Sequence, residues 1–360
     1  MFPTFTSLLI SVTEACHVGC SHCGFIGSTR EREAEPEEMA LWISQACSYG
    51  IPKMIFTGGE PFERLEVLAG GVRAGLAFGV EIGVFTSSYW GDSRERAKKT
   101  LSYVKGVTHL YLSSDTFHQR RVPYQYVFNV IEAANDVGVK NISICITYRD
   151  EGELALVKQQ YARYGERLLF HADQVIPTQF QNTAIRETCR LPLSAKTDHY
   201  SCQCYLGTPI VNPNGDLISC HAGKAGAHAD LRHLPYYLGN LRMNSFEEIM
   251  QTVRLRRDYQ FLRTHGPKGV AQLFSISPNL TAELKRDRFS NCCDMCFAVL
   301  RTQAGRDALR TLLDDASIQE DIDLRLLFAF GDPPLADADG LDKTFAPSVL
   351  NPNGHLQGDK

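Results

Sequence analysis

The sequence predicts an α/β protein whose first half is a partial (β/α)6 barrel, followed by a smaller C-terminal domain. Short runs rich in β-branched and aromatic residues recur six times in the first half, with helical patterns between them. This alternation is typical of βα units that build a parallel sheet. Six units are too few to close an eight-fold barrel, so we expect an open one.

The strand and helix patterns follow each other in the order that βα units require. The predicted strands are LLISVT (8–13), KMIFT (53–57), EIGVFT (81–86), HLYLSS (109–114), NISICITY (141–148) and LLFHADQVI (168–176). Between them, patterns such as EPEEMALWISQACSYG predict helices, and several end at a glycine, a common helix stop. Cys145 lies in the apolar run ISICI, and we interpret it as a buried core thiol.

From about residue 181 the alternation ends, and the chain becomes turn-rich and cysteine-bearing. The stretch NPNGD at 212–216 predicts a hairpin turn. We therefore expect residues 1–180 to form the barrel and residues 181–300 to form a domain of one β-hairpin plus helices. Residues 301–360 would form a helical segment and a disordered tail rich in Pro, Gly and Asp.

Composition excludes two classes of partner. The formal net charge is −4 and no strongly basic stretch occurs, which argues against nucleic-acid binding. The longest apolar runs fall short of the roughly 20 residues that span a bilayer. The N-terminal segment has no basic region or cleavage site typical of a signal peptide. We therefore expect a cytoplasmic protein with no nucleic-acid or membrane partner.

Twelve cysteines are many for such a compartment, where structural disulfides are rare, and their clustering indicates metal ligands. Cys16, Cys20 and Cys23 form a C-x3-C-x2-C motif directly after the first predicted strand. Three thiolates can bind three irons of a 4Fe–4S cluster and leave the fourth iron open. Spacing alone leaves a second possibility, a zinc site with a distant fourth ligand such as His17 or His22.

A second motif, TGGEP at 57–61, follows the second predicted strand. Its glycines let the backbone approach a ligand closely, and Glu60 offers an acceptor for an amino group. Together with C-x3-C-x2-C after the preceding strand, this motif resembles the radical S-adenosylmethionine (radical SAM) superfamily over residues 7–178. The resemblance implies a 4Fe–4S cluster bound by the three thiolates. It also implies that S-adenosylmethionine chelates the fourth iron, and that the residues around its methionine amino group are Gly58, Gly59, Glu60 and Pro61.

The resemblance implies further contacts at the strand ends. His22 stands where the family usually has an aromatic residue beside the adenine, and an imidazole ring can also stack. The implied contacts to the methionine or ribose are Ser87, Ser114 and Arg149, which follow the third, fourth and fifth strands. Asp115 and His118 are candidates for residues that face the substrate. An external one-electron donor, such as flavodoxin or ferredoxin, would reduce the cluster.

The later cysteines resemble the auxiliary-cluster domain called SPASM or twitch. The pattern Cys204-x10-Gly-x4-Cys220 is followed far downstream by Cys293-x2-Cys296. The resemblance implies one auxiliary 4Fe–4S cluster on these four thiolates, as in the shorter twitch form. A structural zinc ribbon is the alternative. Cys202 and Cys292 each stand beside an implied ligand. Each is therefore a candidate to replace that neighbour as a cluster ligand, or to donate a hydrogen atom from its S–H group.

These implications lead to a functional hypothesis. The protein would cleave S-adenosylmethionine reductively to a 5′-deoxyadenosyl radical. That radical would abstract a hydrogen atom from a peptide in natural-product maturation, leading to a cross-link or an inverted centre. One alternative is a small-molecule dehydrogenase or epimerase in natural-product biosynthesis. The alternative of another class is a zinc-stabilised binding protein without catalysis, which analysis of iron and sulfide would distinguish.

Overall fold

The computed structural model describes residues 5–20, 22–23, 33–175, 206–220, 232–285, 289, 292–332 and 335. Within these ranges the predicted alternation of strands and helices is confirmed. The strands are β1 (Leu8–Ser11), β2 (Lys53–Thr57), β3 (Glu81–Thr86), β4 (His109–Ser113), β5 (Asn141–Tyr148) and β6 (Leu169–Gln174). The helices between them are α1 (Pro36–Ser48), α2 (Leu65–Ala77), α3 (Arg94–Tyr103), α4 (Tyr124–Asp136) and α5 (Glu151–Gln160).

These six strands form one open parallel sheet, in the order β6-β5-β4-β3-β2-β1, which confirms the α/β fold class. The sheet continues beyond β1 into a second part of the chain. There β7 (Ile210–Val211) pairs with β1 in parallel, and β8 (Asp216–Ile218) and β9 (Tyr237–Asn240) follow antiparallel. The predicted hairpin turn lies between β7 and β8. The boundary expected at residue 180 falls in 176–205, outside the described residues.

The two faces of the sheet differ in chemistry because side chains alternate along each strand. One face is apolar and packs under the helices. Its fully buried members include Ile10, Phe56, Val84, Leu112 and Ile144. Gly71 of α2 makes this packing close, since a Cβ there would lie 2.6 Å from the ring of Phe56.

The opposite face, which we call the polar face, carries Lys53, His109, Tyr111, Ser143 and Cys145. The rings of His109 and Tyr111 stack at 4.0 Å, and His109 Nε2 lies 2.7 Å from Ser143 Oγ. The Lys53 ammonium donates to the Tyr111 hydroxyl at 3.2 Å. Cys145 pairs in register with Ser113 and is only partly buried. The interpretation of Cys145 as a core thiol is therefore wrong, because its alternation places it opposite the apolar residues Ile144 and Ile146.

The C-terminal part of the described chain is helical, as expected. The helices are α6 (Phe246–Arg254), α7 (Arg257–Ile276), α8 (Asn279–Leu284), α9 (Cys292–Arg301), α10 (Gln303–Leu313) and α11 (Ala316–Phe330). Helix α7 is kinked at Gly266, whose φ is 58°, just before Pro267. A buried ion pair of 2.6 Å between Arg263 and Asp332 joins α7 to the chain after α11.

The segment after β9 is also tied to helix α1. Arg242, just after β9, donates to both carboxylate oxygens of Glu38 in α1, at 2.8 and 2.9 Å. Of the tail from residue 331 that the sequence predicts to end in disorder, residues 333–334 and 336–360 lie outside the described residues. Among the helices that are described, none combines the length and apolar character needed to cross a bilayer.

Candidate active site

The carboxyl ends of the first four parallel strands border a cavity of about 400 Å³. The cysteine loop that follows β1 and the glycine turn that follows β2 form much of its wall. The sequence-predicted residues that line this cavity are Cys16, Cys20, His22, Cys23, Gly58, Gly59, Pro61, Ser87 and His118. The parallel sheet therefore brings together three thiols and a glycine turn from separate parts of the chain.

Backbone hydrogen bonds hold the cysteine loop against the glycine turn. The ladder between β1 and β2 continues past both strands, where Gly59 N–H donates to Thr13 O at 2.7 Å and Glu60 N–H donates to Ala15 O at 2.8 Å. A Cβ on Gly59 would lie 2.1 Å from the Ala15 carbonyl oxygen, and Gly58 has a φ of 143°. The glycines thus allow the turn to approach the chain's own cysteine loop.

Glu60 links the ends of β2 and β3. Its side chain is buried, and both carboxylate oxygens accept hydrogen bonds. Oε1 accepts from Thr86 Oγ1 at 2.9 Å and Phe62 N at 3.2 Å, and Oε2 accepts from Ser87 N at 2.7 Å and Ser87 Oγ at 2.5 Å. Burial raises the pKa of Glu60, and the bonds from Ser87 oppose that rise. A carboxylate has about four acceptor positions, so a ligand amino group would have to replace one of these donors.

Two other predicted contacts lie away from the cavity wall. The Ser114 hydroxyl is buried, accepts from the Tyr161 hydroxyl and accepts from Gln119 Nε2 at 3.0 Å. The Arg149 guanidinium donates to both carboxylate oxygens of Glu153, at 3.1 and 3.0 Å. Ser113, one residue earlier on β4, lines the cavity instead of Ser114.

Two imidazoles and one carboxylate form a cluster beside Cys20. Asp115 accepts from the backbone N–H groups of Phe117 and His118, at 2.9 and 3.0 Å, and lies 2.9 Å from His118 Nδ1. Burial acts to lower the pKa of His118, but the Asp115 carboxylate and Cys20 raise it to about 10. The His118 ring thus lies between the Asp115 carboxylate and Cys20, at the edge of the thiol-lined wall.

His22 has the opposite character. Burial lowers the pKa of His22 to about 4, although Asp115 acts to raise it. Its ring lies 4.6 Å from the Phe117 ring, and its buried Nδ1 has no hydrogen-bond partner in the described part of the chain. A neutral ring with an unused nitrogen at the cavity wall fits contact with a polar aromatic ligand such as adenine.

Sequence reasoning did not identify Phe85 and Ser113 as residues of the cavity wall. It also missed the polar face, which meets the cavity wall where the Phe85 ring stacks on Tyr111 at 4.4 Å. The signal was present in HLYLS at 109–113, where leucines alternate with His, Tyr and Ser. Strict alternation of this kind indicates a strand with one apolar face and one polar face.

Three of the later thiols line a second, smaller cavity, which we call the thiol cavity. Its wall includes Cys220, Cys293, Cys296 and Tyr236, with Leu262 and four other apolar or glycine residues. The thiol cavity has a volume of about 40 Å³, so a four-iron cluster fits into it only if the thiol-bearing segments move apart. The predicted ligand Cys204 and its neighbour Cys202 lie outside the described residues. Cys292 is disulfide-bonded, so it carries no S–H group in this state.

The approach of the glycine turn to the cysteine loop gives a first prediction. In Gly59→Ala the new Cβ collides with the Ala15 carbonyl, so the cysteine loop shifts and iron loading falls at least several-fold. Iron and sulfide analysis after anaerobic reconstitution measures this loss. Gly70→Ala is the matched control, because a Cβ there meets nothing closer than 3.9 Å. Equal iron in the Gly59→Ala variant and the wild type would contradict the proposed role of the close approach.

The hydrogen bonds of Glu60 give a second prediction. In Glu60→Gln an amide N–H group faces backbone or hydroxyl donors, so the free energy of unfolding of the metal-free protein falls by about 1–3 kcal/mol. Urea titration measures this change. Glu66→Gln, on the exposed side of α2, should change the free energy of unfolding by less than about 0.5 kcal/mol. If the free energy of unfolding of Glu60→Gln equals that of the wild type, the hydrogen bonds of Glu60 do not stabilise the ends of β2 and β3.

Comparisons with known proteins agree with this geometry. Residues 10–153 match the family model described as Radical SAM superfamily. Among curated proteins, the chain is 29% identical over 128 residues to a probable GTP 3′,8-cyclase of Pyrococcus horikoshii, covering 35% of this chain and 40% of that protein. It is 26% identical over 149 residues to GTP 3′,8-cyclase of Listeria monocytogenes, covering 38% and 43%. The alignments thus span about two fifths of these relatives.

Solved structures show weak overall likeness. A structure described as native anSMEcpe with bound AdoMet and Cp18Cys peptide matches with a TM-score of 0.49 and 13% identity, covering 89% of this chain and 98% of that one. Streptococcus suis SuiB bound to S-adenosylmethionine matches with a TM-score of 0.46 and 12% identity, covering 72% and 68%. Such likeness says nothing about substrate. Residues 10–153 therefore form a domain that matches the radical SAM superfamily, in agreement with the thiol-lined cavity and the parallel sheet.

Proposed function

We propose that this protein cleaves S-adenosylmethionine reductively and uses the 5′-deoxyadenosyl radical to abstract a hydrogen atom from a peptide. The observation that carries the proposal is the single cavity lined by Cys16, Cys20, Cys23 and the glycine turn. Its volume of about 400 Å³, and the buried unpartnered Nδ1 of His22, suit a nucleoside ligand held beside three thiolates.

When bound, a 4Fe–4S cluster supplies one electron, whose transfer into the sulfonium breaks a C–S bond and yields the radical. The chain's own residues would bind the cluster and orient S-adenosylmethionine. The three thiols would ligate irons of the cluster, and the backbone of Gly58 and Gly59 would border the methionine end of S-adenosylmethionine. His22 would stack on the adenine, while the His118 ring lies beside Cys20. Glu60 acts through Thr86 and Ser87, which it holds at the cavity edge.

A peptide substrate is supported by the open side of the sheet. β6 is the edge strand of the described sheet, and its residues His171 and Asp173, which lie on the polar face, are exposed. An exposed strand edge offers main-chain hydrogen bonds to an extended peptide, and side chains of that peptide would then lie on the polar face. The contact between Phe85 of the cavity wall and Tyr111 of the polar face supports hydrogen abstraction near that face.

A small-molecule substrate is the second candidate. The curated relatives named GTP 3′,8-cyclase favour it, since their sequences are 26% to 38% identical to this chain over the aligned residues. That similarity extends over 38% of this chain in the longest alignments, which favours shared handling of S-adenosylmethionine more than a shared substrate. The polar face, with Lys53, His109 and Tyr111, would then contact a polar aromatic molecule directly.

We also propose an auxiliary 4Fe–4S cluster on Cys220, Cys293 and Cys296, with Cys204 as the fourth ligand. The three described thiols line one cavity, which supports the proposal. The cluster would accept an electron from the substrate radical, or relay one from an external donor such as flavodoxin or ferredoxin. Cys202 stays a candidate hydrogen-atom donor. Cys292 is one only after reduction of its disulfide.

Removing the three thiols of the first cavity tests the proposed reaction. The triple substitution of Cys16, Cys20 and Cys23 by Ala should abolish formation of 5′-deoxyadenosine from S-adenosylmethionine and dithionite, measured by chromatography and mass spectrometry. The auxiliary cluster should remain, since its thiols lie elsewhere. Cys47→Ala, a thiol of α1 outside both cavities, should retain activity. Undiminished 5′-deoxyadenosine from the triple variant would refute the assignment.

The nature of the substrate is tested with the reduced wild-type enzyme. Short peptides encoded beside the gene, and GTP as the small-molecule comparison, are incubated separately with S-adenosylmethionine. We expect a peptide to raise 5′-deoxyadenosine formation at least tenfold, and a deuterated peptide to transfer deuterium into the 5′-deoxyadenosine. Stimulation by GTP alone would overturn the peptide assignment in favour of the small-molecule one.

A further inference from the structure

Glu33 lies on the far side of the cysteine loop, just before the chain enters α1. Its carboxylate accepts a hydrogen bond from the Thr13 hydroxyl and pairs with the Arg64 guanidinium. Thr13 is fully buried, and the Glu33 side chain is only 14% exposed. The bond between Glu33 and Thr13 spans 20 residues, and all three thiols of the first cavity lie within that span. One side-chain contact therefore closes the segment that carries these thiols.

The Thr13 hydroxyl connects this contact to the backbone of the cysteine loop. Its oxygen accepts from the Ala15 N–H at 3.0 Å, and the Ala15 carbonyl accepts from the Glu60 N–H at 2.8 Å. An ionised carboxylate only accepts hydrogen bonds, so Thr13 donates to Glu33 and its lone pair is left to accept from Ala15. Hydrogen bonds joined in a chain strengthen one another. Glu33 thus acts through Thr13 on the residue that precedes Cys16.

The backbone of Glu33 is held by a different part of the chain. Arg242, which follows β9, donates to the Glu33 carbonyl at 3.2 Å and to the Pro213 carbonyl at 3.4 Å. The same guanidinium donates two hydrogen bonds to the Glu38 carboxylate. The side chain and the backbone of Glu33 therefore have separate partners, and both oppose movement of this end of the loop.

Resting on the 4Fe–4S cluster proposed above for the first cavity, we propose that Glu33 is a positioning residue that closes the cysteine loop through Thr13 and keeps the three thiols assembled for iron. Fixing both ends of a segment removes part of the chain entropy that cluster binding would otherwise cost. Without the contact between Glu33 and Thr13, the loop samples more positions and the thiols release iron faster. The sheet itself keeps its fold, because β1 and β2 retain their own ladder.

Amide exchange in the metal-free protein tests the contact without any cluster. In Thr13→Val the Ala15 N–H loses its acceptor, so its exchange should rise about tenfold, as the loss of one hydrogen bond implies. Exchange of the Ile55 amide within β2 should stay unchanged. Thr13→Ser keeps the hydroxyl and should restore slow exchange at Ala15. Glu33→Ala should also speed exchange there, whereas Glu37→Ala, which changes an exposed acid of α1, should not.

Iron release tests the role of the contact at the cluster. After anaerobic reconstitution, Thr13→Val and Glu33→Ala should each release iron to a chelator about tenfold faster than the wild type. Because both substitutions remove the same contact, the double variant should accelerate release by less than the product of the two single effects. Valine has nearly the shape of threonine, so Thr13→Val and its Thr13→Ser control carry the test if Glu33→Ala does not fold.

The outcomes separate this proposal from the proposed function. Unchanged exchange at Ala15 in Thr13→Val would overturn the contact, and fully multiplicative effects on iron release would show that Glu33 and Thr13 act separately. Faster exchange with unchanged iron release would overturn the role of Glu33 at the cluster. If the wild type binds no iron and sulfide, the proposed function fails, and the exchange measurement still decides whether Glu33 and Thr13 close the loop.

Discussion

The arrangement of the candidate active site depends on the continuation of one backbone ladder beyond its strands. The pairing of β1 with β2 extends through Thr13 and Ala15 on one side and Gly59 and Glu60 on the other. Because a Cβ at Gly59 would overlap the Ala15 carbonyl, this contact needs glycine. It fixes where the cysteine loop begins, and therefore where three thiols can meet a ligand.

The two chemically distinct faces of the sheet give this loop its surroundings. The apolar face packs under the helices and supplies the buried core that keeps strand ends rigid. The polar face, with His109 and Tyr111 stacked together, meets the cavity wall at Phe85. A radical formed in the cavity would thus lie beside polar side chains that can orient a substrate. The thiol cavity lies beyond β1, at the opposite end of the same sheet.

Features carried by contiguous residues were predictable from the sequence. The alternation of strands and helices, the hairpin turn at 212–216 and the C-x3-C-x2-C motif each occupy a short stretch. Roles that depend on distant partners were not. Ser114 turns toward Tyr161, 47 residues later, and Glu60 is held by Thr86 and Ser87 from the next strand. No local sequence pattern predicts such distant pairs. The polar face, in contrast, was predictable from the alternation of leucines with polar residues in HLYLS.

The central claim is that the glycine turn and the cysteine loop are pre-assembled by the backbone before any cofactor binds. Hydrogen exchange of individual amides in the metal-free protein tests this most directly. The account predicts that the Gly59 and Glu60 amides exchange as slowly as those of Ile55 and Phe56 within β2, because both N–H groups are hydrogen-bonded in the extended ladder. Exchange of both amides at the rate of an unstructured chain would contradict it.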